Sequence, residues 1–580
     1  MATDLTPRER ILCELLANLF GVPSVVPDDD FVRLGGDSII AVQVVGRARR
    51  AGLRLTVRDV LALPDVATLA AAAEPLRESP VDRDGGDPRG GAIRPTPIMH
   101  WLRERGGPAD TYYQYLVVRT PAELTLAGAR SVVQALLDRH DVLRLKVTGD
   151  AVGEMVPLPV GAVRTEDCVT AVNTEGLGPE ETLRLVRHEM IRARDRLSPR
   201  DGAVVQVVWC DAGRDAPGRM AIVINHLVVD GISWRILTDD LATAWEAVSA
   251  GRDPHLSPVP TSFGEWSRLL AAEAMAPRRT AELSWWEEVV RADVPGFGSR
   301  PLDPVRDLEE RAGRIDLTLP AAVTVPLLTS VTDRLRADAN EVLLAGLALA
   351  LAEWQHRDEP VGRRAVLIDV EGHGREEIAD DVDISRTVGW FTSMFPVRFE
   401  LDGLAAPDVH AGGCTVGTAL RRVKEHLREI PDKGIGYGLL RHLNPVAGQA
   451  LAGAPVPGIG FNYLGRFPLT DARDWRVLPE HGIQLDAPAP GMPMAHAVEV
   501  GAITLDHADG PALHAHWAWA KGVVTELEIH ALAASWFRML EALVAHAECP
   551  DVGGLSPADV AVAAMDQDEL DELEASLDAL

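Results

Sequence analysis

The stretch AIVINHLVVDGISWRIL, residues 221–237, joins a strand pattern to a helix pattern through a short loop. Its apolar run ends in Asn225 and His226, and Asp230 with Gly231 then leads into an amphipathic helix. A residue at a strand end can place its side chain in a cavity without interrupting the sheet. A single histidine is more often structural, and an Asp before a Gly is usually only a turn. The stretch therefore predicts a strand–loop–helix unit with His226 as a candidate functional residue.

Strand and helix patterns alternate on both sides of this stretch. Apolar runs of strand length are QYLVVRT, VVQVVWC, MAIVINH, RAVLIDVEG, SMFPVRFEL, IGFNYLG and LHAHWAWA. Helical periodicity occurs in LAGARSVVQALLDRHDVLR, PEETLRLVRHEMIRARDRL and SWRILTDDLATAWEAVSAG, and EVLLAGLALALAEWQHR is apolar on all sides. Mixed order of this kind predicts an α+β domain of two lobes, which we place at residues 93–270 and 271–560.

The segments outside this domain differ from it in pattern. Residues 1–76 contain only helical periodicity separated by turn residues, which predicts a small all-α four-helix bundle. Residues 77–92 are rich in glycine, proline and opposed charges, as in a flexible linker. Residues 561–580 form an acidic tail with leucines at helical spacing, which fits a short docking helix and a frayed terminus equally well.

Composition argues against several classes of partner. The chain has 86 acidic and 57 basic residues, a formal net charge of −29, which disfavours nucleic acid and anionic membranes. Its five cysteines are scattered without a CxxC pair, and no histidine cluster has ligand spacing, so we expect neither a metal site nor disulfides. We also expect no signal peptide and no membrane span. These features together predict a cytoplasmic protein.

A second candidate residue is Ser38, which begins a helix directly after Leu34, Gly35, Gly36 and Asp37. Two glycines let the loop approach a ligand closely, and a helix N-terminus stabilises phosphate through its free N–H groups. On these grounds alone, an ordinary N-cap serine is the commoner explanation. The longer string DDDFVRLGGDSIIAVQVVGRAR, however, resembles the peptidyl carrier proteins of nonribosomal peptide synthetases, which are four-helix bundles.

This resemblance covers about residues 5–75 and carries its own expectations. It implies that Ser38 holds a 4′-phosphopantetheine arm, from which an aminoacyl or peptidyl group hangs as a thioester. It implies that Asp37 helps to place the arm or the transferase that installs it. The partners it implies are a phosphopantetheinyl transferase, an upstream adenylation domain and a downstream condensation domain, the last reached through the acidic tail if that tail docks.

The opening stretch also takes part in a resemblance. NHLVVDGISWRIL is similar to the HHxxxDG motif of the condensation-domain superfamily, whose fold joins two chloramphenicol-acetyltransferase-like lobes, and VVDGxSWRIL resembles its epimerization branch. Five further strings resemble epimerization-domain motifs in the family's order: PTPIMHW, EGHGREE, DISRTVGWFTSMFPV, GIGYGLL and FNYLGR. One such string alone would be weak, but five in order across residues 93–560 are specific.

The resemblance implies an amino acid epimerase that interconverts L- and D-configured aminoacyl or peptidyl thioesters. Such a reaction removes the α-proton from one face and returns a proton to the other, through a stabilised enolate. His226, with an ordinary pKa near ~6.5, suits one of the two roles. Glu371 follows the strand pattern AVLIDV and alone would read as a solvated loop residue, but the resemblance makes it the catalytic carboxylate. The sequence leaves open which of the two removes the proton from the L form.

The resemblance gives other motif residues supporting roles. It implies that Asp230 holds its loop through a charge pair with Arg386 or another arginine, and that Gly231 completes the turn. Three more residues lie in motifs near the family's cavity: Tyr437, Asn462 and Tyr463. Hydrogen bonds to the enolate or the arm, and simple packing or turn formation, are equally good explanations for these three.

Asn225 departs from the family, which usually has histidine at this position. An amide nitrogen has no basic lone pair, so Asn225 cannot serve as a general base. Adjacent residues on an extended strand point to opposite faces, and only one of them can face the substrate. We therefore expect Asn225 to brace the site by a hydrogen bond. Two alternatives remain for the whole domain: a condensation domain that forms peptide bonds, and a catalytically impaired scaffold that presents the carrier.

Overall fold

The structure is a computed structural model, and it describes most of the chain. The described residues are 5–20, 22–36, 38–63, 65–75, 91–149, 152–291, 296–355, 365–379, 382–401, 414–468, 473–478, 489–549 and 552. Of the linker predicted at residues 77–92, only the last two residues are described. The acidic tail predicted at residues 561–580 lies entirely outside the described residues.

The N-terminal part is a helical bundle. Its helices are α1 (Pro7–Phe20), α2 (Ser38–Arg50), α3 (Val57–Ala62) and α4 (Val66–Ala72). Two short strands, β1 (Leu53–Arg54) and β2 (Glu74–Pro75), pair antiparallel and tie the end of the bundle to its middle. A capping box at Thr56 and Asp59 starts α3. Leu12, Leu16 and Val44 are fully buried in the shared core, because the apolar residues recur at helical spacing.

The first lobe of the second domain is built on a four-stranded sheet. The strands of this lobe are β3 (Tyr113–Arg119), β4 (Leu145–Thr148), β5 (Glu154–Pro157), β6 (Val169–Asn173), β7 (Val205–Asp211) and β8 (Arg219–Asn225). Its helices are α5 (Pro97–Arg105), α6 (Leu126–Arg139), α7 (Thr165–Cys168), α8 (Pro179–Arg194) and α9 (Gly231–Ser249). The sheet order is β3-β8-β7-β6, with only β6 and β7 parallel, while β4 and β5 form a separate hairpin. The quoted stretch therefore forms a central strand, β8, and the helix α9 that follows it.

The second lobe is built on a six-stranded sheet. Its strands are β9 (Gly313–Leu319), β10 (Ala365–Gly372), β11 (Ser393–Glu400), β12 (Ile459–Pro468), β13 (Val498–His507) and β14 (Gly510–Trp519). The order is β11-β10-β12-β13-β14-β9, and β12 is parallel to both β10 and β13. Glu371 lies next to the last residue of β10, where it lines a cavity that both lobes share.

Helices cover this second sheet. They and the helices that precede them are α10 (Phe263–Glu273), α11 (Pro277–Thr280), α12 (Leu283–Val289), α13 (Ala321–Pro326), α14 (Thr332–Leu335), α15 (Ala339–Gln355), α16 (Cys414–Glu429), α17 (Ile435–Gly438), α18 (Pro445–Leu451) and α19 (Glu526–Ala547). Helix α15 is buried on all sides between the sheet, α16 and α19, which explains its uniformly apolar sequence. In the described part of the chain, every helix is too short or too polar to cross a bilayer.

Two segments from the C-terminal half of the domain return to the first lobe. Residues 473–478 pair with β3 of the first sheet, where the Arg119 N–H donates to Arg476 O (2.9 Å) and the Leu478 N–H donates to Val117 O (2.8 Å). The loop before β11 places Trp390 and its neighbours in the core of the first lobe. The predicted two-lobed α+β fold after an all-α bundle is thus confirmed. The division at residues 270 and 271 remains a prediction, since later segments return to the first lobe.

Candidate active site

A large cavity connects the bundle with both lobes. It has a volume of about 1710 Å³, and its walls include Gly35 and Gly36 of the bundle, His226 after β8 and Glu371 at the end of β10. Residues from motifs far apart in sequence thus meet around one space. Asp230, Gly231, Asn462 and Tyr463 also line it, and Tyr437 is not among the described residues that do.

His226 lies in an aromatic pocket on one wall. Its ring stacks on Tyr112 with centroids 4.9 Å apart and lies 4.4 Å from the Trp390 ring. Its Nδ1 is 2.9 Å from Val229 O, and its Nε2 is 2.7 Å from Gln114 Nε2. Burial lowers the pKa of His226 to about 4. The imidazole is therefore neutral at neutral pH and can accept a proton.

Asn225 points away from that cavity. It is fully buried, and its Nδ2 donates to Ala109 O (2.8 Å) and to Asp110 O (3.2 Å). Its Oδ1 accepts from the Leu227 N–H (3.1 Å). The amide thus ties β8 to the segment before β3 and shapes the turn that carries His226. This geometry is the opposite-facing arrangement expected of neighbours on an extended strand.

Asp230 holds the start of α9 to the loop before β11. Its carboxylate caps α9 and accepts from the Phe391 N–H (3.0 Å). Its ion-pair partner is Arg375, 3.3 Å away with a completely buried side chain. The sequence had indicated Arg386 or another arginine, and Arg386 instead pairs with Asp240 at 2.6 Å. Both arginines lie within motif strings, so tertiary contacts alone decide which carboxylate each one meets.

Glu371 faces the cavity from the second lobe. Asn462 donates from Nδ2 to its Oε2 at 2.8 Å. The carboxyl group is open to the cavity, although protein surrounds it on the other sides. Burial and the nearby negative charge of Glu499 raise the pKa of Glu371 to about 7. The group is therefore partly protonated at neutral pH and can donate a proton.

A buried network of charged side chains, His496, Asp369 and Glu499, lies near Glu371 and acts on its charge. His496 lies 2.9 Å from Asp369 Oδ2 and 3.9 Å from Glu499 Oε1. Although burial opposes it, these two carboxylates raise the pKa of His496 to about 9. Burial likewise opposes ionisation of Glu499, but His496 and Arg105 lower its pKa to about 2. Sequence reasoning missed this network, because the string AHAVEV matches no motif and its partners lie on other strands.

The remaining motif residues divide between the cavity and the core. Asn462 contacts Glu371 directly, as described above. Tyr463 lines the cavity, and its hydroxyl is 3.0 Å from Thr504 Oγ1. Tyr437 packs against Trp286 with ring centroids 5.2 Å apart. Tyr437 also has a side-chain hydrogen bond with Arg441, and these contacts lie outside the cavity lining. Asn462 and Tyr463, in contrast, border the space a substrate would fill.

The bundle contacts the second domain through basic side chains. Arg47 and Arg49 on α2 pair with Asp239 (2.9 Å) and Asp383 (3.1 Å), and a third pair joins the loop before α2 to α14. Each pair is partly exposed, so each contributes only about 0–1 kcal/mol. The two pairs on α2 and the pair in the loop before it nevertheless hold the bundle with Gly35 and Gly36, just before α2, at the cavity.

The loop before α2 closely approaches the second lobe. Gly35 has φ +96°, and a Cβ atom there would lie 2.6 Å from Arg466 Nη1, so only glycine fits. Ser38 is the first residue of α2. Asp37 and the side chain of Ser38 lie outside the described residues. Gly35 and Gly36, which come just before α2, line the cavity, so the cavity has room for a long flexible arm next to the start of α2.

The chain thus combines a helical carrier-type bundle with a two-lobed α+β domain whose cavity reaches the bundle. Residues 10–73 match the family model of a phosphopantetheine attachment site, and residues 106–550 match that of the condensation domain. The chain belongs to the condensation-domain family and carries an N-terminal carrier domain. The carrier match also indicates a 4′-phosphopantetheine held covalently by a serine.

Known proteins agree with this assignment. One of the linear gramicidin synthase subunits of Brevibacillus parabrevis is 34% identical over 98% of the chain, and chondramide synthase of Chondromyces crocatus is 31% identical over 99%. The chain spans only 7% and 14% of the lengths of these two relatives. The epimerization domain from the third module of tyrocidine synthetase B superposes with a TM-score of 0.68, 23% identity, 79% coverage of this chain and 98% of that one. This last likeness shows the fold.

Proposed function

We propose that the chain is a carrier–epimerization didomain of a nonribosomal peptide synthetase. It interconverts the L and D configurations of an aminoacyl or peptidyl group bound as a thioester to the arm on Ser38. One observation carries the proposal: His226, an unprotonated imidazole, and Glu371, a carboxyl group that retains its proton near neutrality, line the same cavity as the carrier loop. Inversion at carbon requires one group that can accept a proton and a second group that can donate one.

The protonation states support a proposal for the roles that the sequence left open. The arm supplies the thioester, whose carbonyl makes the α-proton of the substrate acidic. His226 accepts the α-proton of the L form, because its burial keeps the ring neutral. Glu371 returns a proton to the other face, because burial and Glu499 keep its carboxyl protonated. The reverse reaction uses the same pair with the proton on the other partner.

The other residues of the site act on this pair. Asn462 donates to Glu371 and thereby orients its carboxyl group toward the cavity. Asp230 holds the His226 loop through α9 and Arg375. Asn225 braces the same loop through backbone contacts, so an amide performs this task as well as an imidazole. This bracing favours an active domain over the alternative of an impaired scaffold.

The rival within the family is a condensation domain. The family model that matches residues 106–550 bears that name. Peptide-bond formation, however, needs one proton acceptor beside the attacking amine and gives no role to a second, protonated carboxyl. The raised pKa of Glu371 and its fixed contact with Asn462 therefore favour epimerization. In the proposed epimerization function, a phosphopantetheinyl transferase attaches the arm to Ser38, an adenylation domain supplies the amino acid, and a downstream condensation domain takes the D form.

The experiment uses the full chain loaded with an L-aminoacyl pantetheine in D₂O, with Ser38→Ala as the unloaded control. We expect deuterium at the α-carbon and an L/D mixture, analysed by mass spectrometry and chiral separation, with no chain extension. Chain extension toward an added acceptor thioester without α-deuteration would establish the condensation reading instead. Correct loading followed by neither reaction would overturn both catalytic readings in favour of the scaffold.

A further inference from the structure

We propose that Gln114 is a positioning residue for His226, and that Trp234 fixes the orientation of the Gln114 side-chain amide. Gln114 lies on β3, where its side chain is buried between the α9 residue Trp234 and the His226 ring. Neither residue type is a proton carrier, so their role concerns the state of the imidazole. The role assigned to Gln114 rests on the proposed function of His226 as the proton acceptor.

The orientation of the Gln114 amide follows from its first partner. The indole Nε1 of Trp234 is 2.8 Å from Gln114 Oε1. An indole N–H can only donate, so the atom facing it must be the carbonyl oxygen. The amide nitrogen consequently faces His226, with its Nε2 at 2.7 Å from the imidazole Nε2. The amide therefore presents an N–H donor to the ring, and the ring nitrogen must accept.

The other ring nitrogen gives the same answer independently. His226 Nδ1 is 2.9 Å from Val229 O, and a carbonyl oxygen can only accept. The proton of the neutral imidazole is therefore on Nδ1. Two unrelated partners, one on each side of the ring, thus select a single tautomer with the lone pair on Nε2. The chain Trp234–Gln114–His226–Val229 is satisfied at every link only in this state.

This arrangement also acts on the protonated ring. Nε2 carries the only free lone pair of the ring, so the Gln114 amide must turn aside when His226 takes up the α-proton. If the amide then returns to the protonated ring, two donors face each other. Gln114 therefore disfavours the imidazolium and promotes return of the proton. Among the charged groups nearby, Asp230 favours the imidazolium, while Arg375 neutralises much of that carboxylate's charge. Tyr112 and Trp390 lie against the ring, with centroids 4.9 Å and 4.4 Å away, and bring no charge to it.

The test substitutes Gln114→Glu in the full chain. A carboxylate oxygen facing Nε2 demands a proton there, so the ring should become an imidazolium near neutral pH. Gln206→Glu is the matched control, because Gln206 is equally buried, lies in the same sheet and contacts Arg196 (2.9 Å) rather than His226. Trp234→Phe is the second variant. It removes the donor that holds the amide carbonyl, so part of the ring population should move its proton to Nε2.

The readout is nitrogen NMR of the histidine-labelled chain, with His226→Ala to assign the signal, together with α-proton exchange. In the natural sequence and in Gln206→Glu, we expect the Nδ1–H tautomer above about pH 5, one unit above the pKa of about 4. In Gln114→Glu, we expect an imidazolium at pH 7 and exchange slowed at least about tenfold, since one pKa unit is a factor of ten. An Nε2–H tautomer or an imidazolium in the natural sequence would overturn the inference, whatever the catalytic result. Loss of exchange alone, with the expected tautomer, would instead count against the proposed function.

Discussion

Replacing Asp230 by asparagine should lower the free energy of unfolding, because it leaves a buried arginine without its ion-pair partner. The substitution keeps the side-chain shape and one acceptor for the α9 cap, but it leaves the Arg375 guanidinium without an opposing charge. That guanidinium is completely buried, with carbonyl partners at Ile384 (3.0 Å) and Thr387 (2.9 Å) that cannot neutralise it. Breaking a buried ion pair in this way costs about 3–5 kcal/mol.

A neighbouring carboxylate supplies the control for this prediction. Asp239 lies in the same helix, but its pair with Arg47 is 41% exposed on the acidic side, so Asp239→Asn should cost about 0–1 kcal/mol. Urea unfolding of the full chain, followed by tryptophan fluorescence, measures both. Arg375→Met added to Asp230→Asn should recover part of the loss, since no charge then remains uncompensated. Equal stability of the Asp230→Asn and Asp239→Asn chains would refute the reasoning.

The other predictions concern catalysis, measured as α-proton exchange of the loaded carrier in D₂O. His226→Ala and Glu371→Gln should each slow exchange by about 10²–10⁴-fold, the usual range for a lost acid or base, and near-native rates in both would exclude the pair. Exchange should be fastest between about pH 4 and pH 7, because His226 becomes protonated below its pKa of about 4 and Glu371 loses its proton above its pKa of about 7. The fall in exchange rate above about pH 7 should be absent from the residual activity of Glu371→Gln. If the fall persists in that variant, another group causes it. Asn225→His should stay within about tenfold of the natural rate, because an imidazole can still donate to Ala109 O, and complete inactivity would contradict a bracing role.

Periodicity in the sequence was sufficient to predict the architecture. The carrier helices and seven of the ten described strands of the two large sheets have clear apolar patterns, and the structure contains them. Three strands of the two large sheets were not among those predicted: β6, β9 and β13. β6 and β9 lie at sheet edges, where alternating polar residues are tolerated. β13 contains Gly501 and polar residues at alternate positions, and its place in the sheet depends on pairing with β12 and β14.

The chemical groups of the site were predictable only where they lie in motifs. His226 and Glu371 follow strands within recognisable strings, and the structure brings both to one cavity. Gln114, His496 and Glu499 lie within or beside strands, but none of the three lies in a motif that marks it as functional. Their contacts join positions more than a hundred residues apart, or partners on different strands, so only the folded chain reveals them. The same reason explains why Arg375, rather than Arg386, meets Asp230.

The two walls of the cavity use opposite means to prepare proton carriers. Around His226 the protein removes water and supplies aromatic rings and a neutral amide, which together keep a base unprotonated. Around Glu371, burial on the protein side and the nearby anionic Glu499 together keep an acid protonated, although the carboxyl group still contacts the cavity. If both walls relied on burial alone, any water that enters with the arm would weaken both effects together. When water enters, a fixed charge still acts on its neighbour, whereas the effect of desolvation is lost. The carboxyl group of Glu371, which is open to the cavity, therefore needs the charge of Glu499. The imidazole of His226, which is more enclosed, does not need a nearby charge.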